Sequence, residues 1–86
     1  MLEEITNLTV HPIVQSDATV ISPPLKAIDL LEGGALKFRD TAGNTVTKTF
    51  PTIATGGIYP YRFWCRIDKV FDTDTAITDA QMIGIR

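Results

Sequence analysis

Ile58-Tyr59-Pro60-Tyr61-Arg62-Phe63-Trp64-Cys65-Arg66-Ile67-Asp68-Lys69-Val70-Phe71 is the stretch on which the fold turns. Tyr59, Tyr61, Phe63, Cys65 and Ile67 fall on one face, and Arg62, Trp64, Arg66 and Asp68 on the other. A period of two marks a strand with one face in a core. The parity slips at Lys69-Val70-Phe71, which predicts a bulge there. Five of the chain's seven aromatic residues lie in this segment, so it should dominate both core and contact.

Upstream, Ala35-Leu36-Lys37-Phe38-Arg39 alternates apolar and charged residues, Asp40-Thr41-Ala42-Gly43-Asn44 is turn chemistry, and Thr45 to Phe50 is a second β run. Gly43 suits the left-handed residue of a type I turn plus bulge. That register sets Phe38 opposite Val46, and Pro51 ends the strand. Residues 52–58, with Gly56-Gly57, read as a connection. Leu25 to Glu32 fits a helical period of three at Leu25, Ile28 and Leu31, and fits a buried strand equally well. Its shortness, between Pro23-Pro24 and Gly33-Gly34, favours the strand.

Further out the signals thin. Residues 5–14 read as an extended segment that Pro12 confines to an edge. Gln15-Ser16-Asp17 is a turn, and Ser22-Pro23-Pro24 forces extended backbone without ladder donors. Residues 1–24 therefore read as an N-terminal extended arm, and residues 25–86 as the β body of a single domain. Residues 72–79 are a polar loop, and residues 80–86 a last strand with Ile83 and Ile85 sharing a face. Threonine occurs twelve times and no helical spacing persists. The expectation is an all-β chain, a small antiparallel β-sandwich or barrel of five to seven short strands.

At 86 residues, with 44% hydrophobic and 21% charged residues, the chain suits one small domain rather than a disordered segment. A core of this size rarely nets more than about 3–5 kcal/mol. One cysteine allows no internal disulfide, and one histidine with one cysteine argues against structural zinc. Oligomerisation is the remaining staple. No run approaches the length of a membrane span. The acidic start, Met1-Leu2-Glu3-Glu4, lacks the layout of a secretory signal. Synthesis in the cytoplasm and a reduced Cys65 are expected, and the Asn7-Leu8-Thr9 sequon reads as chance.

The net charge of −2 is unevenly spread. Glu3, Glu4, Asp17, Asp29 and Glu32 against Lys26 leave residues 1–35 at −4. Lys37, Arg39, Lys48, Arg62, Arg66 and Lys69 against Asp40 and Asp68 leave residues 36–70 at +4. Asp72, Asp74 and Asp79 against Arg86 leave the rest at −2. Such a layout suits head-to-tail contact between identical subunits, or simply a solvated surface.

Candidate chemistry is sparse. His11 with nearby Ser16 and Asp17 does not make a triad, which needs positioned groups and an oxyanion hole. Cys65 lies on the apolar face, away from Arg62 and Arg66, and reads as a core thiol. Asp72, Asp74 and Asp79 resemble a calcium loop only loosely, since its sixth and twelfth positions would be Ile77 and Ile83. Gly33-Gly34 and Gly56-Gly57 lack the Lys and Ser/Thr of a phosphate loop. No catalytic residue, metal ligand or cofactor site is expected. The Arg62-Trp64-Arg66 stripe stands out, because Trp and Arg are enriched at interface hot spots. With Tyr59 and the Pro23-Pro24 arm it forms the expected contact surface. A second core layer with snorkelling arginines is the alternative for Trp64. Nucleic acid is disfavoured by the net-negative chain and by only two such arginines.

From Ile13 onward the chain resembles a family of small phage structural proteins, the spike base proteins of gene transfer agents and related tailed phages. The likeness rests on Val14-Gln15-Ser16-Asp17 with the arm through Pro23-Pro24, and on Leu25-Lys26-Ala27-Ile28 leading to Gly33-Gly34-Ala35-Leu36-Lys37-Phe38. It extends to the hairpin into Val46 to Phe50, to Gly57-Ile58-Tyr59-Pro60-Tyr61-Arg62, and to Thr75-Ala76-Ile77-Thr78-Asp79. The chain departs from that pattern at residues 1–12, which are longer and more acidic, and at Ile85-Arg86, where the family carries an aromatic. The resemblance implies a non-enzymatic domain of the virion that forms a homo-oligomer, a pentamer or a trimer. Its partners would be itself and a capsid or fibre protein, with no membrane and no cofactor. A carbohydrate- or receptor-binding module of a phage tail or fibre, stacking sugars on Tyr59, Tyr61 and Trp64, is the alternative.

Overall fold

A computed structural model describes residues 10–86, so the expected extension over residues 1–9 and the Asn7 sequon lie outside the described residues. The chain is all-β. Its strands are β1 (Val10–Pro12), β2 (Leu25–Leu30), β3 (Gly34–Asp40), β4 (Thr45–Phe50), β5 (Tyr59–Val70) and β6 (Met82–Ile85), with one 3-10 turn at Asp79–Gln81. They form one six-stranded sheet in the order β1-β6-β2-β5-β3-β4. Every pairing is antiparallel. The sheet is curled rather than closed, because its outer strands β1 and β4 do not pair with each other.

The β3–β4 hairpin forms in the expected register, with Phe38 opposite Val46. Its turn is closed by the Gly43 amide donating to the Asp40 carbonyl at 3.0 Å. Gly43 has φ +94°, a conformation that only glycine adopts without cost. The Asp40 carboxylate completes the turn, accepting from the amides of Ala42 (3.0 Å) and Asn44 (2.9 Å). These bonds, the Asn44 amide foremost, hold its pKa below the usual carboxylate value.

β5 is long enough to serve two neighbours. Tyr59–Arg62 pairs with β2, whereas Val70, Lys69 and Ile67 pair with Phe38, Arg39 and Asp40 of β3. Two irregularities separate those halves. Leu25 faces Ile67 while Ala27 faces Arg62, so Phe63–Arg66 bows out opposite Lys26. On the other side Asp68 is an extra residue between the partners of Arg39 and Asp40, a bulge one residue before the Lys69-Val70-Phe71 slip at which it was expected. Bulges bend and twist a strand, letting one sheet fold over itself. The aromatic rings record that fold. Phe50 of β4 packs 5.5 Å from Tyr59 and 5.1 Å from Tyr61, although β4 and β5 are not neighbours in the sheet.

The folded sheet encloses Leu25, Ile28, Leu30, Leu36, Phe38, Phe50, Phe63, Ile67, Val70 and Met82. Burial of each such side chain is worth about 1.5–3 kcal/mol. Three isoleucines from outside the strands, Ile13, Ile21 and Ile77, close the open side. The described part of the arm is thus built into the body of its own chain. The Ser16 amide donates to the Val70 carbonyl (2.9 Å) and the Ile21 amide to the Asp68 carbonyl (2.6 Å). Asp17 caps the start of the 72–79 loop, accepting from the amides of Asp72 (2.9 Å) and Thr73 (3.0 Å). It also accepts from the Thr73 hydroxyl, which is the largest cause of its lowered pKa.

Candidate interaction surface

Adjacent residues of neighbouring strands point to the same side of a sheet. Ile28 and Leu30 are fully buried, so their β6 partners Gly84 and Met82 face the core with them. Ile83 and Ile85 consequently face outward. Two rows result on the outer face of β6, β2 and β5. One is Ile85, Ala27 and Arg62, and the other is Ile83, Asp29 and Pro60. Pro12 of β1 extends the second row beside Ile83.

Arg62, Trp64 and Arg66 are all exposed on this outer side of β5, and Trp64 keeps 66% of its surface in solvent. Trp64 emerges where β5 bows away from β2, and its ring touches the inner Phe38 at 6.2 Å between centroids. From there the aromatics run inward as a chain of contacts. Phe38 meets Phe63 at 5.1 Å, Phe63 meets Tyr61 at 5.4 Å, and Tyr61 meets Phe50. Such tilted ring pairs add about 0.5–1.5 kcal/mol each beyond area burial. The exposed indole is therefore rooted in the rigid core.

Tyr59 points to the opposite side, half-buried against Phe50, and is not brought together with the stripe. Tyr61 is its neighbour, and burial pushes its hydroxyl pKa up. Pro23 follows a cis peptide bond after Ser22, and with Pro24 leads into Leu25, which faces Ile67 of β5.

Beside Trp64 lies a groove of about 350 Å³ that sequence reading did not find. Ala27, Pro60 and Ile85 supply apolar lining, and Lys26, Asp29 and Arg62 its charges. Ile83 and Ile85 were visible as one apolar face. Which side they take depends on β6 inserting between β1 and β2, and no local pattern carries that information.

Other groups are engaged in the fold. Ser16 Oγ accepts from the amides of Ala18 and Thr19. Half-buried Cys65 lies 3.5 Å from the Thr41 hydroxyl. Asp74 pairs with Lys37 at 3.4 Å, and Asp79 accepts from the Gln15 amide. His11 pairs through its backbone with Gly84, and its side chain lies outside the described residues. Among the described residues no three His, Cys, Asp or Glu side chains gather as metal ligands, and no helix is long and apolar enough to cross a membrane. Comparison with protein-family models, with curated proteins and with solved structures finds no match.

Proposed function

We propose that this chain is a non-enzymatic virion structural protein, a small oligomeric β domain that attaches to the capsid as a spike or fibre base or as a decoration protein. One observation carries the reading: a tryptophan 66% exposed, flanked on the same strand by the exposed Arg62 and Arg66. Trp with Arg is the hot-spot composition of protein interfaces. The resemblance of residues 13–86 to spike base proteins supplies the particle as the setting. The sugar-binding alternative is weakened, because Tyr59 and Tyr61 are half-buried in edge-to-face contact with Phe50 on the opposite side of the sheet from Trp64.

Immunogold labelling of purified particles from the source cells tests this reading. Labelled capsid vertices or surfaces are the expected result. Bare particles from cells that contain the protein would overturn it.

A further inference from the structure

The geometry points to a specific contact between copies. Trp64 of one copy seats in the groove floored by Ala27, Pro60 and Ile85 of a second copy, and the exchange is reciprocal. The inference rests on the self-assembly part of the proposed function and names the surface that performs it.

Three observations lead here. The first is a matched knob and hole. Trp64 is the largest exposed apolar side chain among the described residues, and the groove beside it holds about 350 Å³. A cavity of about 150 Å³ accepts a benzene ring, so this groove has room for the larger indole. The second is placement. Pro60 and Arg62 line the groove and Trp64 is the next outward residue of the same strand. A knob beside its own hole on one face is self-complementary across a two-fold axis, where the same patch meets itself. Trp64 does not fill its own groove, because its ring leans on Phe38 and takes no part in the groove's lining.

The third observation is charge. The rim carries two cations, Lys26 and Arg62, and one anion, Asp29. None of the three takes part in an ion pair among the described residues. Across a two-fold axis Asp29 of each copy meets a face that carries Lys26, Arg62 and Arg66, which offsets part of the like charge the two copies bring together. Arg62 then also lies against the incoming indole, where a guanidinium over the ring face is favourable. Ile83 and Pro12, continuous with the groove, extend the apolar contact. The curl of the sheet leaves this outer side uncovered among the described residues, while the inner side takes every fully buried side chain.

Trp64 is the only tryptophan, so its fluorescence reads the seating directly. Emission spectra and sedimentation would be recorded on the full chain across a concentration series. The expected result is a dimer whose formation coincides with a blue shift of the emission. Ala27→Arg, which fills the groove and leaves Trp64 in place, should abolish both the dimer and the shift while the melt is retained. Trp64→Ala should raise the dimer dissociation constant about 30-fold or more, the effect of losing a hot spot. Ile85→Arg, at the other wall of the groove, is the second variant should Ala27→Arg fail to fold.

Association without a blue shift, or a shift that survives Ala27→Arg, would overturn the exchange and leave assembly through another surface standing. A trimer or pentamer would overturn the two-fold arrangement in the same way. A monomer with solvent-exposed tryptophan at every concentration would overturn the exchange together with self-assembly, and particle labelling would then decide the virion reading separately.

Discussion

Two glycines show how differently one side chain can matter. A Cβ on Gly33 would lie 2.2 Å from the Pro51 carbonyl oxygen and 2.9 Å from the Thr52 Cα, both main-chain atoms that cannot rotate away. Gly33→Ala should therefore cost about 1–3 kcal/mol, at the upper end of overpacking. Gly43 has open space around it, so Gly43→Ala pays only for its left-handed backbone, about 1 kcal/mol. A urea melt of the two variants should rank them in that order. Two carboxylates tie stability to pH. Asp17 and Asp40 both have folded pKa values below their unfolded ones. Their contribution is fully present above the unfolded value of about 3.9, and is lost as pH falls through the folded values. The melting temperature should fall as pH drops below about 4. The double variant D17N/D40N should start lower at neutral pH and respond less to acid.

The arm and β5 are where element-scale reasoning is tested. Ile13 and Ile21 are buried to 3% and 8% exposure, so truncating either to alanine should cost about 2–4 kcal/mol. A chain beginning at Leu25 loses both, and also the Ser16 and Asp17 bonds. It should give a collapsed amide spectrum where the full chain gives a dispersed one. The sequence read this segment as an extended arm and placed Pro23-Pro24 in the contact surface, because two adjacent prolines supply no ladder donors. The backbone pattern was right, but two isolated isoleucines do not reveal which core they fill. The hairpin was legible down to the pairing of Phe38 with Val46, because turn chemistry and alternation are both local. The bulge was legible too, because a parity slip is a local signal. The candidate surface was legible only in its β5 half. Arg62, Trp64 and Arg66 share a face by simple alternation, whereas Ala27 and Ile85 join them only through non-local pairing.

At the scale of the whole molecule, the sheet is stitched from distant parts of the chain. β1 pairs with β6, and β2 pairs with both β5 and β6. Closing such long loops before any contact repays them slows folding, and all-β domains of this kind fold in milliseconds to seconds. Stopped-flow refolding followed by Trp64 fluorescence should give relaxation in that range, and a microsecond phase carrying the full amplitude would contradict it. The uneven charge is consistent with this organisation. Asp17, Asp72 and Asp74 gather around the loop at one end of β5, while Lys37 and Lys69 approach the face of Phe71 at 4.9 and 5.3 Å. Part of the local excess is answered within the fold, where Lys37 pairs with Asp74 and Arg39 with Asp68, while Lys48, Arg62 and Arg66 stay exposed.

The position of β6 inside the sheet has a consequence for how the protein is made. β2 is synthesised early, yet one of its two edges stays bare until Met82–Ile85 has left the ribosome. β1 has no other strand to join among the described residues. At translation speeds of about 5–20 residues per second, that leaves apolar strands exposed for several seconds on every nascent chain. The hairpin can form during that wait, because β3 and β4 are adjacent, but the core cannot. A ribosome stalled before residue 82 would display a docking-competent β2 edge, open to capture by a chaperone or by another unfinished copy.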